Sequence, residues 1–102
     1  MAWLDVWIPR NSRTRGLLVE VQSDLHAAAL PTRLCAPLIP AAALSRIFAI
    51  LNPVFEVAGG RYVMVTQAIA PYDKDRLARW VGNLAEHEDQ IIKAIDHLLL
   101  GT

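Results

Sequence analysis

The 102-residue sequence has one cysteine, no net charge and only 7% aromatic residues. The single thiol, Cys35, excludes an internal disulfide and leaves any metal site to draw its ligands from elsewhere. Such a cysteine reads as a small buried residue in a reducing compartment. Ten basic residues balance ten acidic ones, which excludes the strongly basic composition of a nucleic-acid-coating protein. Apolar stretches such as Ile47–Leu51 and Leu98–Leu100 fall far short of the ~20 residues of a membrane helix. Met1-Ala2-Trp3-Leu4-Asp5 has neither the basic nor the apolar region of a secretory leader. The chain is therefore expected to act in the cytoplasm, away from membranes. A phosphate-binding loop is also missing, because Gly59-Gly60 lacks a following Lys-Ser/Thr and sits between strand-like runs.

What is present is apolar material, 54% of the residues against 20% charged. That excludes intrinsic disorder. The length fits one domain, residues 1–102. A chain this short buries only about two thirds of its unfolded surface, so part of the apolar surplus should lie on a face that pairs with a second copy. A homodimer is the expectation.

Period-two alternation predicts a strand over Trp3–Ile8, with Leu4, Val6 and Ile8 on one face and Trp3, Asp5 and Trp7 on the other. Pro9 to Arg15 follows as a polar, basic loop. A second strand is expected from Leu17 to Gln22, with Leu17, Val19 and Val21 inward and Leu18, Glu20 and Gln22 outward. Leu34–Leu38 reads as a short strand limited by Pro37. Pro40 and the helix formers after it, up to Leu51, predict a short helix or a few turns before Pro53. Gly59-Gly60 between Val54–Val57 and Tyr62–Gln67 marks a hairpin. Leu77, Trp80, Val81, Leu84, Ile91, Ile95 and Leu98 recur at helical steps and predict one long helix from about Asp75 to Leu99. In that reading Asp73 or Asp75 caps the start, Gly101 closes the end, and Gly82 weakens the middle. The fold class is α+β, a strongly bent antiparallel sheet with a C-terminal helix packed against it.

His87, Glu88 and Asp89 lack the spacing of a zinc helix, since Ile91 stands where a second histidine is needed. They read as a solvated helix face, and neither a metal nor a cofactor is expected. Ser12, Ser23 and Ser45 have no nucleophile signature around them, so no catalytic residues are assigned. Positive charge concentrates in one place, Arg10, Arg13 and Arg15, a loop suited to phosphates or to a partner's carboxylates. Leu98, Leu99 and Leu100 are consecutive and cannot all face one core, so the chain ends in an exposed apolar tip, a dimer contact or a docking point for another protein.

Arg10-x-Ser12-Arg13-x-Arg15 followed by Val19-Glu20-Val21-Gln22-Ser23-Asp24-Leu25 resembles the N-terminal half of the CcdB toxin family. Arg33-Leu34-Cys35-Ala36-Pro37-Leu38, Leu51-Asn52-Pro53-Val54, Met64-x-Thr66-Gln67, the Leu84–Ile91 segment and Gly101 are similar to the family as well. The resemblance spans essentially the whole chain. It implies a small SH3-like β-barrel with a long C-terminal helix, of CcdB/MazF type, and a homodimeric, non-enzymatic toxin of a type II toxin–antitoxin pair. Such toxins serve plasmid maintenance. They bind the GyrA subunit of DNA gyrase and trap the cleaved-DNA complex of this type II topoisomerase. A CcdA-like antitoxin neutralises them, and the complex, which alone meets DNA, represses its own operon. Carried over by position, the gyrase contacts are Leu25, His26, Asp96, Leu99, Leu100, Gly101 and Thr102. The antitoxin contacts are Arg10, Ser12, Arg13 and Arg15. This chain has Leu99-Leu100-Gly101-Thr102 where the best-known member of the family has Phe-Trp-Gly-Ile. Two alternatives accompany this reading. One is a CcdB-like dimer with lost or altered gyrase activity. The other is a MazF-like endoribonuclease, with Arg10, Ser12 and Arg13 as its working residues.

Overall fold

A computed structural model describes residues 2–10 and 16–101. Seven antiparallel strands form one curled sheet: β1 (Asp5–Pro9), β2 (Leu17–Glu20), β3 (Thr32–Pro40), β4 (Val54–Val57), β5 (Gly60–Met64), β6 (Ala70–Asp73) and β7 (Leu77–Asn83). One helix, α1 (Glu88–Leu100), follows. The strands run in the order β4-β5-β3-β2-β1-β7, with β6 paired to β3 beside β5. This is the expected α+β class, a half-barrel closed on one side by a C-terminal helix.

β3 organises the sheet. Along one edge it pairs with β2, Leu17 opposite Leu38 through Glu20 opposite Cys35. Along the other its first half pairs with β6 and its last residues with β5. It is longer than the predicted Leu34–Leu38, and Pro37 sits inside it rather than ending it. The β1–β7 ladder slips register after Val6 and after Ile8. Such bulges increase local twist and help curl the sheet until its two outer strands approach. Gly82 of β7 marks that approach, because a Cβ there would lie 3.1 Å from Cγ2 of Val57 in β4.

The β4–β5 hairpin turns through Ala58 and Gly59, both at positive φ, 53° and 78°. Two left-handed central residues define the tight turn whose twist matches the strands it joins. The predicted hairpin is present, with Ala58-Gly59 rather than Gly59-Gly60 at its corner.

The long helix expected from Asp75 onward is not present. Leu77–Asn83 is a strand paired with β1, and α1 begins only at Glu88 after a single 3₁₀ turn, Ala85–His87. Leu77, Trp80, Val81 and Leu84 therefore share no stripe with Ile91 and Ile95. β-favouring Trp80 and Val81 and helix-weakening Gly82 suit the strand, and β1 supplies its partner. Neither Asp73 nor Asp75 caps the helix. Glu88 and Asp89 occupy its first turn, where negative charge complements the helix dipole. Gly101, at φ 72°, closes it by donating to the His97 carbonyl.

Between β3 and β4 only Ala41–Ala43 forms a 3₁₀ turn. The rest of the anticipated helical stretch is held by Asn52. Its Oδ1 accepts from the Phe48 amide, and its Nδ2 donates to Met64 O and Gln67 Oε1. A buried amide that satisfies turn and sheet at once wins over weak helix propensity here.

The main core lies between the concave sheet face and α1. It contains Leu4, Val6, Leu17, Val19, Leu38, Phe55, Met64, Leu84, Ile91 and Ala94. A second cluster on the opposite face holds Leu18, Cys35 and Leu77, with Trp7 and Tyr72 against them. The sheet is thus buried on both faces, so Leu18 and Glu20 are not outward as the alternation implied. Trp3 and Trp7 also part company, because Trp3 packs on the main core and Trp7 on the second. The cause is Leu4, buried at φ 65°, which breaks the alternation just before β1. Its amide donates to Glu20 O and its carbonyl accepts from the Leu84 amide.

Candidate functional site

No metal cluster of three or more His, Cys, Asp or Glu side chains occurs among the described residues. His87 is half-buried, its ring 5.1 Å from that of Phe55 and its Nε2 3.5 Å from Glu86, a packing role rather than a ligand's. Cys35 is fully buried. Burial and the neighbouring Glu20 carboxylate push its thiol up to about 12, so it is no nucleophile at neutral pH. The structure offers surfaces instead.

The first surface joins the loop after β2 to the end of α1. Val21, Leu34, Ile69, Ile95, Leu98 and Leu99 line one apolar cleft of about 290 Å³. Val21 leads directly into the Gln22–His26 loop, and Leu98 and Leu99 form the last turn of the helix. The loop carries Leu25 with 81% of its surface open, and the helix end carries Leu99 and Leu100 at 72% and 70%. Asp96, His26 and Gly101 are exposed too. The structure thus places the predicted gyrase contacts on the loop and the helix end that adjoin this cleft. Thr102 lies outside the described residues.

The loop is built locally. Ser23 Oγ accepts from the Leu25 amide, and one 3₁₀ turn, Asp24–His26, follows. Arg33 lies beneath it, fully buried, paired to the equally buried Glu20 at 2.6 Å and to Asp24 at 3.0 Å. Glu20 also accepts from Trp7 Nε1. Sequence reasoning missed this group, because a charged residue at an alternating position reads as solvated. Lys74 reaches Ala27 O from the other side.

The second surface is basic. Arg10 continues β1, its amide bonded to Arg76 O and its Nε to Asp75 O. Arg76 and Arg79 lie beside it, exposed, on the segment opposite β1. Of the predicted antitoxin contacts only Arg10 is described; Ser12, Arg13 and Arg15 lie outside the described residues. Arg76 and Arg79 were missed because the helix reading removed them from β1. The local signal, β-favouring Trp80 and Val81 beside Gly82, is short.

At the other end of the β1–β7 ladder, Asp5 Oδ1 accepts from Trp80 Nε1 and Asn83 Nδ2, and Oδ2 from the Ala2 amide. Burial alone pushes the Asp5 carboxyl up, but these hydrogen bonds outweigh it and hold the group below the usual value.

No curated protein matches the chain. Among protein families, the model described as CcdB protein matches residues 5–101, essentially the whole sequence.

Proposed function

The chain belongs to the CcdB family, toxins of toxin–antitoxin systems that act on gyrase, and from that premise we propose that it docks on the GyrA subunit through its loop and helix tip. The observation that carries this reading is the apolar cleft lined by Val21 and Leu99, with exposed Leu25 on the loop that follows Val21 and exposed Leu100 next to Leu99. Large aliphatic side chains left open around a cleft are what a docking surface needs. In this reading the bound protein works as a wedge. Contacts to the cleaved-DNA form of the topoisomerase stabilise that form over the religated one, and the toxin makes or breaks no bond itself. A ligand shifts such an equilibrium only by its differential affinity for the two states. Leu100 in place of an aromatic anchor lowers that affinity, since aromatic residues dominate interface energetics.

A homodimer belongs to the same reading, on the strength of the apolar surplus of the sequence. The basic surface of Arg10, with Arg76 and Arg79, receives the acidic segment of a CcdA-like antitoxin, whose ordering cost is offset by charge complementarity. Operon repression then belongs to the toxin–antitoxin complex, and the site of action is the cytoplasm.

The test is a gyrase assay with purified protein that scores supercoiling and trapped DNA cleavage in the same tubes. Trapped cleavage, lost in Leu99→Asp and Leu100→Asp with the melting temperature unchanged, supports the docking tip. No effect at micromolar protein would sink it and leave a dimer kept for antitoxin binding. Cleavage of RNA by the same preparation would move the assignment to an endoribonuclease.

A further inference from the structure

Leu25 stands at the apex of the Gln22–His26 loop, and what fixes that loop lies buried on the sheet face of the second cluster. The guanidinium of Arg33 is fully buried, and it reaches three consecutive loop residues. Nη1 donates to Ser23 O at 3.3 Å, and Nη2 donates to Gln22 O at 3.2 Å and to Asp24 Oδ1 at 3.0 Å. Its remaining side, Nε, is held by Glu20 Oε1 at 2.6 Å. The other oxygen of Glu20 is held by Trp7 Nε1, which anchors the fork in the sheet. Asp24 uses its second oxygen to accept from the Trp3 amide. No buried side-chain nitrogen or oxygen among the described residues is left without a partner.

We propose that Arg33 is the positioning residue of the docking loop: from its buried place on the sheet it fixes Gln22, Ser23 and Asp24 so that Leu25 meets its partner on a backbone already set. The clamp stands on geometry alone, while the identity of the partner rests on the gyrase reading. Arg33 touches no partner itself. Its effect is to remove the ordering cost that a mobile loop would incur on binding. A planar fork is required, because a lysine ammonium at this place cannot span Glu20 and three loop acceptors together.

Two readouts on the same proteins test this: native-state amide exchange, and affinity for purified GyrA. Asp24 is half-exposed, so Asp24→Ala should fold. It is expected to speed exchange at Leu25, whose amide bonds Ser23 Oγ, and at Ala27, whose amide bonds Asp24 O. The expected rise is about tenfold, with β2 and β3 unchanged. Affinity for GyrA should fall about three- to tenfold. Asp24→Asn, which keeps one oxygen for the guanidinium, should recover part of both. Arg33→Lys should free the loop while sparing the charge opposite Glu20. Leu25→Ala should lose affinity with loop exchange unchanged. Unchanged exchange in Asp24→Ala and Arg33→Lys would overturn the clamp. A freed loop with undiminished affinity, where Leu25→Ala does lose affinity, would overturn the positioning role. Wild-type protein that fails to bind GyrA would refute the gyrase reading instead, and the exchange measurement would still decide the clamp.

Discussion

Removing either half of the Glu20–Arg33 pair should cost far more than removing both. The two side chains are 0% exposed and 2.6 Å apart. Arg33→Met leaves a carboxylate in the interior with only Trp7 Nε1 as donor. Glu20→Met leaves a buried guanidinium with only loop acceptors. Breaking one partner of a buried pair costs about 3–5 kcal/mol, a large share of the ~5–15 kcal/mol that stabilises a small domain. At roughly 4–8 °C per kcal/mol for a chain of this size, each single substitution should lower the melting temperature by roughly 12–40 °C. The double replacement leaves one orphan, the Trp7 indole N–H, which costs about 1–3 kcal/mol. The carbonyls of Gln22 and Ser23 are near the surface and turn to water. The double variant should therefore be more stable than either single one, with a coupling of about 3 kcal/mol or more. Urea unfolding followed by tryptophan fluorescence measures all four proteins. Protein concentration is held fixed because association would shift the midpoint. Singles that cost under about 1 kcal/mol, or costs that simply add in the double variant, would refute the buried pair.

Three further outcomes are expected. Ala58→Asn at the hairpin corner relieves a left-handed alanine and should raise the melting temperature by a few degrees, about 0.5–1 kcal/mol; a lower temperature would contradict the turn. Asp5 has its carboxyl held below 3.8, so its contribution to stability is complete above that pH and is lost as pH falls through the lower folded value. Acid titration of Asp5→Asn should therefore show a weaker loss of stability below pH 3.8 than wild type, and identical acid limbs would refute the assignment. Cys35, with its thiol pushed up to about 12, should resist a disulfide reagent at pH 8 until the protein unfolds, and prompt stoichiometric labelling of the native protein would contradict its burial.

The hairpin and the first two strands were legible because their signals are local: positive-φ corner residues and short alternating runs. The helix end was legible for the same reason, since Ile91, Ala94 and Ile95 face one core. β7 was hidden by coincidence, its apolar residues falling in phase with the helix that follows. Only pairing with β1, some seventy residues away, decides its conformation. Glu20 and Arg33 were illegible for a different reason. Alternation assumes one wet face, and this sheet covers both, so a charged pair could be placed in the interior where only tertiary structure reveals it. The Leu98–Leu100 tip was visible as three consecutive leucines that cannot all face one core, and Leu25 came through the family resemblance, whereas the clamp beneath the loop was not legible.

The pairing of β1 with β7 has a consequence in time. Asp5 is opposite Asn83 and Trp7 opposite Trp80, so β1 waits for some seventy further residues before its outer edge is covered. Chains emerge at about 5–20 residues per second, and pairings between distant segments are slow to form. For several seconds β1 and β2 exist on the ribosome without β7 or the helix that completes the core. The apolar cleft, which needs Val21 and Leu34 from before β4 and Ile95, Leu98 and Leu99 from the helix, comes into being only once the helix has been made. A chain synthesised only as far as β7 does not have this cleft.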